Sequence, residues 1–140
     1  MPRFVLLYHD CPPGYERPSH WDFMLETGDV LRTWALEQLP HDWQAAHSQT
    51  AAVYANCPAI AAANEVAAMQ LGDHRREYLE LEGPLSGGRG TVVRVAAGMY
   101  EIESETPDEL RITVSGQLVV GVRLLRNGDD RQQWKLCTQY

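Results

Sequence analysis

A chain of 140 residues has the size of one domain and can bury about two thirds of its unfolded surface without disulfides. Its residues are 44% apolar and 22% charged, with four Trp and six Tyr, which excludes a disordered or membrane-embedded chain. A net charge of −7 and a pI near 5.1 exclude a broad cationic footprint, so any polynucleotide must be gripped locally, by a metal ion and a few arginines.

Phe4 to Tyr8 is an apolar run of strand length that ends at His9 and is closed by the turn formers Asp10-Cys11-Pro12-Pro13-Gly14. Before it, Met1-Pro2-Arg3 leads into the strand without the apolar core of an export signal. No stretch reaches the ~18 apolar residues of a membrane span, so one domain over residues 1–140 in the cytoplasm, with no membrane partner, is expected. The segment from His20 to Glu26 alternates: Trp21, Phe23 and Leu25 fall on one face, and His20, Asp22, Met24 and Glu26 on the other. Thr27-Gly28-Asp29 is a turn, and Val30 to Leu36 the next strand.

From about Gln44 to Ala68 the chain is rich in Ala, the best helix former, and a helix or two short ones are expected, with Pro58 to Ala68 as one of them. Strands follow at Glu77 to Leu81, Thr91 to Ala96, Met99 to Glu103, Leu110 to Val114, Gln117 to Leu125 and Gln132 to Thr138, separated by Gly- and Asn-containing turns. Strands at this spacing predict a mainly β chain, an antiparallel barrel or sandwich with one helical insertion.

His20 and Asp22 stand two apart on one strand face, and His9 ends a neighbouring strand. Two neutral imidazoles and a carboxylate are a donor set for Mn²⁺, Fe²⁺ or Zn²⁺ that leaves positions open for water or a substrate oxygen. A solvated strand face is the other reading of the same spacing, although Met24 fits it badly. The stretch from Asp73 to Gly83 holds His74, suited to acid, base or phosphate-donor work, and Tyr78, able to hydrogen-bond a substrate oxygen. A loop His and an edge Tyr read equally well there. Gly83 to Thr91 is Gly-rich but lacks the lysine of a phosphate-binding P-loop. Arg17, Arg75, Arg76 and Arg89 fall in loops near the two clusters and are candidate phosphate contacts. His41 and His47 lack acidic partners at ligand spacing. Cys11, Cys57 and Cys137 form an odd set without C-x-x-C spacing and read as reduced thiols.

His9 with His20-Trp21-Asp22-Phe23-Met24-Leu25-Glu26 and Trp34-Ala35, then Asp73-His74 to Tyr78, Leu81-Glu82-Gly83, Gly90-Thr91-Val92 and Trp134-Lys135-Leu136, together resemble the DNA ligase D 3'-phosphoesterase domain family. The likeness runs in order along nearly the whole chain except its Ala-rich middle, as in a divergent, stand-alone member. It implies a closed β-barrel of about eight strands and a Mn²⁺-dependent enzyme that removes 3'-ribonucleotides or 3'-phosphates from DNA ends beside a repair ligase or polymerase. By residue match it implies His9, His20 and Asp22 as metal ligands, and His74 and Tyr78 as groups acting on the scissile phosphate. Two positions depart: Met24 and Val66 stand where the family carries arginines, and a thioether cannot clamp phosphate. From this alignment alone, Met24→Arg is expected to raise activity. The departures, with the acidic pI, also leave open a catalytically weak or inactive barrel that binds a protein partner, or a metal-dependent hydrolase acting on another substrate.

Overall fold

The computed structural model describes residues 1–118 and 120–138. Nine strands are present among the described residues: β1 (Arg3–Asp10), β2 (His20–Thr27), β3 (Val30–Leu36), β4 (Glu65–Arg75), β5 (Gly83–Pro84), β6 (Thr91–Thr106), β7 (Glu109–Gly116), β8 (Val120–Arg126) and β9 (Gln133–Cys137). Their order is β1-β2-β3-β4-β9-β8-β7-β6, and β1 also pairs with β6, so eight antiparallel strands close into a barrel and the short β5 flanks the start of β6. Closure removes the unpaired edges that an open sheet would expose.

The alternation of β2 decides what lies inside. Trp21, Phe23 and Leu25 join Phe4, Leu6 and Tyr8 of β1 and Ile112, Val122, Leu124 and Leu136 from the far wall in the larger of two buried apolar clusters. One helix, α1 (Gln44–Val53), follows a 3₁₀ turn at His41–Trp43. The helix packs Ala46 into that cluster, and its Thr50 hydroxyl accepts a hydrogen bond from Trp21 Nε1 at 3.0 Å. Because Trp21 pairs with Tyr8 and with Leu36, α1 covers the end of the barrel at which β1 finishes and β2 begins.

The outward face of β1 and β2 is also buried. Val5, Leu7, Met24 and Leu31 form a second cluster with Tyr78, Leu79 and Val92, beneath the chain that crosses over after β4. Both faces of β2 are therefore covered from His20 to Leu25, which rules out the solvated-face reading of that strand.

Five expected elements differ. Pro58–Ala68 is not a helix: Glu65 onward is strand β4, whose Val66 and Ala68 turn into the barrel and pair with Leu136 and Trp134. Alanine's helix preference is well under 1 kcal/mol per residue over most alternatives, and closing the barrel outweighs it. Glu77–Leu81 is mostly a 3₁₀ turn, Arg76–Leu79, that places Tyr78 and Leu79 onto the second cluster. The strands expected at Thr91–Ala96 and Met99–Glu103 are one continuous β6, and Gly98 lets Ser115 of β7 approach its backbone. The strand expected from Gln117 begins at Val120; Val119 lies outside the described residues, as do Gln139 and Tyr140.

Candidate metal centre

His9 and His20 face each other as the last paired residues of the β1–β2 hairpin, before the loop that joins the two strands. Their rings meet edge to face with centroids 5.2 Å apart, and both are buried, at 7% and 2% exposure. The ladder thus converges two imidazoles on the outer surface of the barrel.

Each ring has one nitrogen committed to a backbone carbonyl. His9 Nε2 lies 2.6 Å from the carbonyl oxygen of Arg89, and His20 Nδ1 lies 2.8 Å from that of Pro18. A carbonyl only accepts, so these nitrogens carry the protons and leave His9 Nδ1 and His20 Nε2 with lone pairs. This is the usual outer support of metal-binding histidines. The Arg89 carbonyl is delivered by a tight approach at Gly90, whose φ of +94° and whose missing Cβ, which would sit 2.1 Å from the Asp10 oxygen, admit only glycine.

Asp22 Oδ1 is 3.2 Å from His20 Nε2, and Asp22 is 4% exposed. Among the described residues Oδ1 is also a buried polar oxygen without a hydrogen-bond partner. The ion-pair separation and the missing bond are compatible: the two atoms are close, yet neither presents a well-aimed proton to the other. A lone pair on each side of that gap calls for something positive, either a second proton on the ring or a metal ion. Atoms bound ~2.0–2.2 Å from one ion sit about 3.0–3.5 Å apart, so the spacing fits shared coordination. The donor set and the orphaned oxygen together suit a divalent cation.

The charges agree with this. Burial and the facing His20 hold the His9 pKa below its ordinary 6.5, though the Arg89 carbonyl opposes the change. Burial also works against a charged His20, but Asp22, which accepts a hydrogen bond from Nε2 once the ring is protonated and attracts its charge, outweighs it together with the Pro18 carbonyl and raises the pKa above 6.5. The proton favoured between His20 and Asp22 occupies the position a metal ion would take.

A residue that sequence reasoning passed over, and not Asp22, is the third member of the group of ligand atoms that the fold brings together. Ligand atoms of His9, Cys11 and His20 all lie within 4.8 Å of one another, and Cys11 Sγ is 3.9 Å from His20 Nδ1. The Cys11 backbone N–H donates to Ser19 Oγ at 2.9 Å, which pins the residue beside the ring. Burial, followed by the charges of Asp22 and Asp10, pushes its thiol pKa up to about 11, so without metal it stays protonated. The signal was His9-x-Cys11, two residues on one side of the chain; a search confined to C-x-x-C spacing misses it.

The other candidate residues are not brought to this cluster. His74 pairs with Leu31, which pairs with Glu26, four residues beyond Asp22 on β2. At about 3.3 Å per residue that is roughly 13 Å along the sheet. His74 Nδ1 donates to the Gly72 carbonyl at 2.9 Å, and the ring stacks edge to face on Tyr78 with centroids 5.4 Å apart. Tyr78 itself packs in the second apolar cluster with Met24, which is 1% exposed. Apolar side chains thus separate the His9/His20 end of this face from the His74 end. Val66 points into the barrel, so an arginine there would enter the core; the outward neighbours are Ala67 and Met69.

Arg17 lines a cavity of about 680 Å³ that reaches His20 across Ala35 and Met69, with Glu16 and Glu37 at its rim. Its guanidinium lies 3.6 Å from Glu16. Arg89 spends its side chain on Ser86, donating to the carbonyl at 2.8 Å and to the hydroxyl at 3.1 Å. Arg75 pairs with Glu77 in solvent, and Arg76 with Glu26 at the His74 end. His41 and His47 bond to the carbonyls of Ala61 and Pro58 near α1.

A family model described as DNA Ligase D 3'-phosphoesterase domain matches residues 14–126. That span holds His20, Asp22, Met24, His74 and Tyr78, whereas His9 and Cys11 precede it. No curated protein matches the chain. Among the described residues no helix is long and apolar enough to cross a membrane.

Proposed function

The chain belongs to the DNA ligase D 3'-phosphoesterase family, and from that premise we propose that it is a metal-dependent phosphoesterase that removes a 3'-ribonucleotide or 3'-phosphate from DNA ends. The family supports a 3'-phosphoesterase-like function; the metal and the substrate are our reading. The observation that carries it is the buried, unpartnered Asp22 oxygen 3.2 Å from His20 Nε2.

In this reading His9 Nδ1, His20 Nε2 and Asp22 hold the ion, Mn²⁺ being the expectation from the family. A divalent ion supplies neutralisation of charge on the phosphoryl oxygens and a bound water of lowered pKa. The protein's part is positional. The Arg89 and Pro18 carbonyls fix the two rings, and burial keeps His9 neutral and ready to donate its lone pair. The strand end enters the cavity beside His20, where Arg17 meets its phosphate. His74 and Tyr78 touch the nucleic acid away from the scissile group, at the distance the strand imposes.

Two observations favour a second reading. Met24 is sealed under Tyr78 and Leu79 where an arginine clamp would stand, and two glutamates rim the cavity. Both weaken the hold on a polyanion, as suits a slow enzyme, a smaller phosphodiester or a barrel that only binds a repair partner.

The test is cleavage of a 5'-labelled primer–template ending in one 3'-ribonucleotide or a 3'-phosphate, with Mn²⁺, Zn²⁺ or no metal. Product that needs metal and vanishes in His9→Ala and Asp22→Ala is expected. No product at high enzyme, with metal bound and the fold intact, would sink the DNA-end reading and leave the second.

A further inference from the structure

Cys11 and Asp22 address opposite nitrogens of one ring. Sγ stands 3.9 Å from His20 Nδ1, and the carboxylate oxygen 3.2 Å from Nε2. His9 is within reach of the sulfur side, since one ligand atom from each of His9, Cys11 and His20 falls inside 4.8 Å. His20 therefore has two candidate partners for a metal, a thiol at Nδ1 and a carboxylate at Nε2, and His9 joins the thiol side in the one group whose ligand atoms all lie within 4.8 Å among the described residues.

We propose that Cys11 is a metal ligand, and that the centre takes thiophilic divalent ions such as Zn²⁺ through His9, Cys11 and His20 while taking Mn²⁺ through the Asp22 set. The inference deepens the metal-dependent reading above and rests on its metal centre, though not on its DNA substrate. Nitrogen and sulfur bound at ~2.0–2.1 and ~2.3 Å in a tetrahedron lie about 3.6 Å apart, a few tenths of an ångström from the separation at Cys11. In this set the ring proton of His20 moves to Nε2 and is accepted by Asp22, which turns from ligand into the carboxylate that orients a zinc-bound histidine. The thiol proton leaves to solvent. The Pro18 carbonyl, now at Nδ1, gives way; Pro18 sits exposed in the loop between β1 and β2 and has room to turn. Softness then sorts the ions, because thiolate favours Zn²⁺ and Co²⁺ whereas carboxylate and imidazole alone suit Mn²⁺.

The experiment uses Co²⁺ as an optical stand-in for Zn²⁺, on the full chain, with far-UV circular dichroism as the folding control. Wild type and a Cys57→Ser control should both show a near-ultraviolet thiolate-to-Co²⁺ charge-transfer band at one equivalent, and Cys11→Ser should lose it. Cys11→Ser should weaken Zn²⁺ binding by about 10-fold to 100-fold, leaving Mn²⁺ binding unchanged. Asp22→Asn should keep the Co²⁺ band at saturation but lose Mn²⁺. A wild-type Co²⁺ spectrum without the band, or a band that survives in Cys11→Ser, overturns the proposal. These readouts involve no DNA, so a failed cleavage assay leaves them standing, and their failure leaves the cleavage assay standing.

Discussion

The outward face of β2 has two ends built on opposite principles. At one, His20 and Asp22 are buried with lone pairs facing each other across a gap and backbone carbonyls holding the rings behind. At the other, Met24 and Leu31 are buried under Tyr78 and Leu79 in an apolar cluster. Two residues of strand separate them. The polar end is stable only if something positive joins it, whereas the apolar end contributes roughly 1.5–3 kcal/mol per buried side chain on its own. One strand face is thus divided between a buried donor set and an apolar patch that contributes to stability on its own.

The hardest test of that contrast exchanges the principles. Met24→Arg puts a guanidinium under Tyr78 and Leu79, and we expect it to cost about 3 kcal/mol or more in urea unfolding. The family resemblance alone argues for a gain in activity, and the buried packing of Met24 sets a loss of stability against it. An unchanged unfolding midpoint would show that the apolar end is looser than described. Next in size, His20→Ala should abolish Mn²⁺ binding by isothermal titration with the far-UV spectrum unchanged; wild-type affinity would remove the polar end from any metal chemistry.

A smaller effect should follow from Gly90→Ala, which forces a Cβ against the Asp10 oxygen at a φ of +94°. We expect about 1–3 kcal/mol of lost stability and weaker metal binding as the Arg89 carbonyl withdraws from His9. Subtler still is a proton. In metal-free protein, histidine NMR should place the His20 pKa above 6.5, and Asp22→Asn should pull it below, since burial remains while the carboxylate's charge is gone. The folded value lies above the unfolded one, so this group's stabilisation is fully present below about pH 6.5 and is lost as pH rises through the folded pKa. Least of all, Arg75→Ala should change stability by under ~0.5 kcal/mol, because its pairing with Glu77 is spread in solvent at 75% exposure.

Much of the polar end was legible. The alternation from His20 to Glu26 fixed which side chains turn outward, and a barrel or sandwich followed from evenly spaced short strands, with closure implied by the family resemblance. What was not legible depends on long-range closure. Nothing local shows that Ala-rich residues 65–68 must complete a ladder with β9, or that the chain after β4 folds down as a 3₁₀ turn to bury Met24. Cys11 was missed for a different reason: its partners come from a neighbouring strand, and no spacing rule within one segment connects it to His20. The distance from His74 to Asp22 was also invisible, since residue matching carries identity along a chain but not separation across a sheet.

The hairpin register has one further consequence, for tolerance to change. His9 and His20 are held opposite each other by the ladder itself, so the length and sequence of residues 11–19 do not set their separation. Insertions in that connection should be absorbed at little entropic cost. Cys11 and Pro18 are the exceptions, Cys11 tethered through Ser19 and Pro18 holding the His20 ring by its carbonyl. Lengthening or recasting the loop would therefore leave the two strand positions opposite each other and retune the sulfur and the orientation of one ring. If Cys11 ligates as proposed, the choice of ion can be edited in a surface loop while the paired strand ends stay as they are.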